Sequence, residues 1–211
     1  MMITPDKDLV MLFADSEMRA AVVGLLTRPK ALGIRPLSVD TPVHPARDPG
    51  VRHGARDFLR GFVKTHRYAL VLLDHEGSGA EQLTPAHLEA DIEQVCTIDW
   101  GDRMRAIAIA PELETWVWSD SPEVDRALGW GGRLPSLRDW LISEDWLSDK
   151  QLKPDRPKEA FDAAIRQVRK PRSARIFEAL GENVSVNRCQ DRAFLKLRDT
   201  LAGWFADIPP R

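Results

Sequence analysis

Residues 68–79 read Tyr-Ala-Leu-Val-Leu-Leu-Asp-His-Glu-Gly-Ser-Gly, an apolar run that ends on Asp74 and Glu76 and breaks at once into a glycine-rich turn. A continuous apolar run bounded by a turn fits a strand covered on both faces, which is how strands of parallel sheets are buried. In open α/β sheets, ligands and metals gather beyond the carboxyl ends of such strands. Two acidic side chains at i and i+2 can both be aimed there at one hard cation, although strand ends are also acidic simply because they meet water.

The chain around this run alternates between the two periods. Leu9–Ala14 reads as a first strand, and Asp15-Ser16-Glu17 as the capped start of a helix running to about Leu32, with Met18, Ala21, Val22, Leu25 and Leu26 as its apolar stripe. Arg35–Asp40 reads as a short strand. Thr41–Gly54, with its prolines, glycines and two histidines, reads as a long loop. A helix over 55–66, the strand already described, a helix near Pro85–Val95 and a strand from Arg105 to Ile109 follow. Strands separated by helix-length insertions predict an α/β fold: a mostly parallel sheet of about four strands with helices on both faces over residues 1–120. Beyond 120, Gly, Pro and Trp punctuate short helical stretches at 122–129, 135–142, 157–169 and 173–180, and an amphipathic helix at 189–206. Residues 121–211 are therefore expected to form a helical extension packed on the core.

Several function classes are excluded by what the sequence lacks. It has no P-loop, no dinucleotide fingerprint, no nucleophile elbow and no His-Glu-x-x-His spacing, and its two cysteines, Cys96 and Cys189, stand far apart. The apolar runs fall short of a membrane span and the N-terminus lacks a signal-peptide pattern, so a cytoplasmic protein is expected. Net charge is −2, but unevenly spread: residues 69–149 carry 5 Lys/Arg against 17 Asp/Glu, and residues 150–198 carry 13 against 6. An acidic centre followed by a basic segment suits a protein that handles a phosphate polymer, the carboxylates holding cations and Lys/Arg the backbone. Mixing of these charges on the folded surface is the plainer reading.

A second constellation, Glu112-Leu-Glu114-Thr-Trp116-Val-Trp118-Ser-Asp120, again follows a strand directly. If extended, it puts Glu112, Glu114, Trp116 and Trp118 on one face; if helical, Glu114 moves towards Trp118 instead. The tryptophans read best as core. Taken in order, Phe13-Ala-Asp-Ser-Glu17, Asp74-x-Glu76 and Glu114-x-Trp116 with Asp120 resemble the motifs of a bacterial Toprim-like family associated with restriction and phage-defence genes. The likeness continues weakly through Pro157-Lys158 and Phe194–Leu197. The resemblance implies a Toprim-like core with Glu17, Asp74, Glu76 and Glu114 in catalytic positions, and with Asp74, Glu76 and Glu17 holding Mg²⁺, or Mn²⁺ in its stead. It also implies nucleic acid and other defence-system proteins as partners, and the basic segment 150–198 offers Arg169, Lys170, Arg172 and Arg175 as candidate contacts to the phosphate backbone.

This chain departs from the family at the first motif, where Phe13 and Ala14 stand in place of the family's Glu-Gly. The usual general acid/base is thus absent from its position. Asp74-x-Glu76 replaces Asp-x-Asp, a change that keeps oxygen ligands. Two functions remain open at this point: a metal-dependent nuclease-like enzyme of an anti-phage system, and a catalytically silent, nucleic-acid-binding or interaction subunit of the same kind of system.

Overall fold

The structure, a computed structural model, describes residues 5–207. Four strands, β1 (Lys7–Phe13), β2 (Val39–Asp40), β3 (His66–Asp74) and β4 (Met104–Ile109), form one all-parallel sheet in the order β2-β1-β3-β4. Between them run α1 (Ser16–Leu26), α2 (Pro29–Leu32), α3 (Arg47–Leu59) and α4 (Pro85–Trp100). The path leaves β1 in one direction for β2 and returns in the other for β3 and β4, so right-handed crossovers put α1 on one face and α3 and α4 on the other. Ala69–Leu73 of β3 have no exposed surface, as expected of a central strand. Pairings of Phe13 with Leu72 and of Asp74 with Ile109 bring the carboxyl ends of β1, β3 and β4 to one edge.

Three local expectations need correction, the first being the strand read over Arg35–Asp40, which is confined to Val39–Asp40. The helix read as continuous from residue 16 to Leu32 stops at Leu26, where the Thr27 hydroxyl donates to the Gly24 carbonyl at 2.7 Å. Pro29, which has no N–H to give, opens α2 instead. The stretch 41–54 is not a long loop, because α3 begins at Arg47. Pro49 falls in its first turn, where the missing N–H costs nothing, and Gly50 lies where a Cβ would come within 2.3 Å of the His44 ring. Breaker residues in that stretch thus serve a helix start.

The C-terminal helices are α5 (Pro122–Leu128), α6 (Leu137–Ser143), α7 (Pro157–Gln167), α8 (Ala174–Asn183) and α9 (Arg192–Phe205). They lie against the α/β core. α8 packs on α1 so closely that a Cβ on Gly181 would sit 2.2 Å from the Ala21 carbonyl oxygen, and one on Gly24 2.4 Å from that of Glu178. α9 buries Phe194, Leu197, Leu201 and Phe205, stacks Trp204 on Tyr68 and ties back through Arg192 and Lys196 to the buried Glu89 of α4. Tryptophan N–H groups staple the halves: Trp118 donates to the Pro157 carbonyl at 3.0 Å and Trp116 to Asp191 at 2.8 Å.

Candidate acidic site at the carboxyl edge of the sheet

Asp74 ends β3, and its backbone N–H donates at 2.8 Å to Asp48, which the first turn of α3 delivers from the neighbouring crossover. The Asp74 Oδ1 atom is fully buried with no hydrogen-bond partner. Burial drives this carboxyl well above the ordinary range, and the charges of Asp48, Glu114, Asp15 and Glu112 push the same way. Asp48 is raised for the same first reason, burial, and further by Asp15. Asp15 itself caps α1, accepting from the Glu17 and Met18 N–H groups at 2.8 Å each. Acidic groups from the loops after β1, β2, β3 and β4 thus meet at one edge, where a parallel sheet collects its chemistry.

One cation organises much of this edge. Arg172 donates to both oxygens of Glu17, to the buried Glu114 and, at 2.9 Å, to Asp162 of α7. Its guanidinium lies over the rings of Phe161 and Phe177 at 5.2 and 5.5 Å. Burial raises the Glu114 carboxyl, with Arg172 pulling it back down. Lys158 at the start of α7 plays the parallel part for Glu112, at 3.1 Å. Glu112 is also raised by burial, opposed by Lys158 and reinforced by the charge of Glu76.

The candidate residues separate into groups. Asp74, Glu114 and Glu17 share the edge, but Glu17 and Glu114 are already paired through Arg172. Glu76 is exposed at the rim, its backbone N–H bonded to the Pro111 carbonyl. Phe13 and Ala14, where the resembled motif has Glu-Gly, are fully buried core. Arg172, a candidate phosphate-backbone contact, lies in the acidic site and pairs with Glu17, Glu114 and Asp162. Arg169, Lys170 and Arg175 form no salt bridge among the described residues, and Arg169 and Lys170 line a shallow depression with Arg166 and Asp162. His75, flanked by two candidate ligands, spends its Nε2–H on the Leu83 carbonyl at 2.8 Å. Asp48 and Lys158 are site residues that the motifs did not single out. Asp48 was hidden by its place among loop-forming residues, and Lys158 carried only a weak signal.

Among the described residues no group of three or more His, Cys, Asp or Glu side chains converges as a ready metal cage. Mg²⁺ does not demand one, since it keeps several waters and is commonly held by one or two carboxylates together with substrate phosphates. The orphaned Asp74 oxygen fits that mode of binding. No helix among the described residues is long and apolar enough to cross a membrane. Comparisons with protein-family models, curated proteins and solved structures find no match to this chain.

Proposed function

We propose that this is a Toprim-like protein of a bacterial anti-phage system, working in the cytoplasm beside other proteins of that system. In this reading it binds nucleic acid and a weakly held divalent cation at an acidic edge whose catalytic power is reduced or lost. The observation that carries the reading is the partnerless, buried oxygen of Asp74 at the carboxyl end of the central strand, among four other carboxylates. Such an atom calls for a proton or a cation, because a buried charge left alone is costly. Mg²⁺, or Mn²⁺ in its place, would neutralise phosphate charge there. Asp74 would supply the inner ligand and Glu76 the rim, while Arg169, Lys170 and Arg175 would hold the backbone without reading bases. Loss of turnover follows from Phe13 in the first-motif position and from Glu17 and Glu114 being held by Arg172.

The test is a thermal melt at pH 8 with and without millimolar Mg²⁺ or Mn²⁺. A ligand of the native state raises its melting temperature, and that rise is expected in the wild type and absent in Asp74→Asn. No metal-dependent shift would sink the cation half of the proposal. Charge reversal at Arg169, Lys170 and Arg175 is expected to weaken binding of an oligonucleotide and to flatten its salt dependence, since fewer counterions are released. The enzyme reading is favoured by the meeting of Asp74 and Glu114 at one edge. Metal-dependent cleavage of DNA or RNA that disappears in Asp74→Asn would establish it over the silent one.

A further inference from the structure

Away from the acidic edge, α1, α5, α6 and α8 and the loops between them surround a cavity of about 940 Å³. Its walls are mainly apolar, including Leu113, Val124, Leu141, Phe177 and Leu180, all of them buried in the fold. That volume lies at the upper end of the range of pockets that hold small molecules. The cavity opens to solvent, so its apolar walls stand against water, and a ligand that covers them gains in proportion to the apolar area removed from water. Leu152, 85% exposed, stands at the lining as a large apolar side chain in water. Within the wall, the Ser119 hydroxyl oxygen is buried with no hydrogen-bond partner.

We infer that this cavity is a binding site for a compact, uncharged, largely aromatic or alicyclic molecule carrying one hydrogen-bonding group for Ser119. The lining's ionic groups argue against a charged ligand. Its cations Lys153, Arg188 and Arg138 already donate to backbone carbonyls, and Asp120, Asp125 and Asp191 equal them in number with opposite charge. Asp191 is further occupied by Trp116 and by capping α9. The site is separate from the acidic edge but shares a wall with it. Leu113, Thr115 and Trp116 of the single turn that presents Glu114 line the cavity.

The probe is N-phenyl-1-naphthylamine, a neutral aromatic amine with one N–H, titrated into the full chain by fluorescence. A saturable, one-to-one rise with micromolar Kd is expected, together with a higher melting temperature. Leu141→Trp, which fills the cavity, should weaken binding at least tenfold, and Ser119→Val severalfold. Ile98→Ser, which removes an exposed apolar side chain on α4 outside the cavity, should leave binding unchanged. If Leu141→Trp does not melt cooperatively, Val124→Phe fills the same space. A non-saturable signal from the wild type, binding that survives filling, or binding lost in Ile98→Ser overturns the inference.

Discussion

In the folded protein Asp74 holds its proton more tightly than in the unfolded chain, because burial raises its carboxyl first and Asp48, Glu114, Asp15 and Glu112 add to it. A group raised on folding contributes stability that is fully present below its unfolded value, here 3.8, and is lost as pH rises through the folded one. Asp48, Glu112 and Glu114 are raised too and act in the same direction. Without divalent metal, stability should therefore decline as pH rises from about 4. Asp74→Asn should flatten that decline and gain roughly 1–3 kcal/mol at pH 8, with little change at pH 4, measured by urea unfolding at both values. A variant as pH-sensitive as the wild type would show that Asp74 is not the group responsible. Arg172→Met should act oppositely. It leaves Glu114, 2% exposed, without its partner; because Arg172 is itself 30% exposed, the expected cost is about 1–3 kcal/mol, below that of a fully buried pair, read in the same urea unfolding. The neighbourhood of Asp74 and Glu114 was legible because the first ends a buried strand and the second stands in the turn that follows one. Arg172 was legible only as a positive charge, since its partners Glu17 and Glu114 stand 155 and 58 positions away and nothing local encodes the pairing.

Helix α8 meets α1 backbone to backbone, and two glycines make that approach possible. A Cβ at Gly181 meets a helix carbonyl at 2.2 Å, which cannot swing aside as a side-chain tip would. Gly181→Val should therefore separate the helices and cost about 3 kcal/mol or more in urea unfolding, at or beyond the usual range for overpacking. Gly203 of α9 has nothing within 4 Å of the same constructed position, so Gly203→Ala should stabilise by about 0.5–1 kcal/mol through helix propensity alone. Equal effects at the two sites would refute the close approach of α1 and α8. The helical stretch read over 173–180 stops one residue short of Gly181, whereas Gly203 falls inside the one read over 189–206, and nothing local distinguishes a close approach from open space. Periodicity found α9 to within three residues because Phe194, Leu197 and Leu201 recur at helical spacing. It missed the start of α3 because Pro49 and Gly50 are breakers in general and tolerated or required at that place in particular.

Over the whole molecule, four cations of the basic segment answer carboxylates that precede them in the chain. Lys158 pairs with Glu112, Arg172 with Glu17 and Glu114, Arg192 with Glu89, and Lys196 with Glu89 and Glu93. The charge blocks were visible in the sequence, but their meaning depended on a tertiary arrangement that no segment count contains. For the same reason the division at residue 120 marks a change of pattern more than a place to cut. The first 120 residues alone would lose α8 from the face of α1, α9 from the side of β4, and the cations facing Glu17, Glu89, Glu112 and Glu114. Apolar burial and charge neutralisation would fail together, and each is large against the small net stability of a domain. The full chain should therefore unfold in one transition, with tryptophan fluorescence and far-UV circular dichroism superimposing across a urea titration. The 1–120 fragment should remain unfolded or aggregate at concentrations where the full chain is monodisperse. A fragment that melts cooperatively on its own, or two resolved transitions in the full chain, would show that the helical part is an independent unit resting on a self-sufficient core.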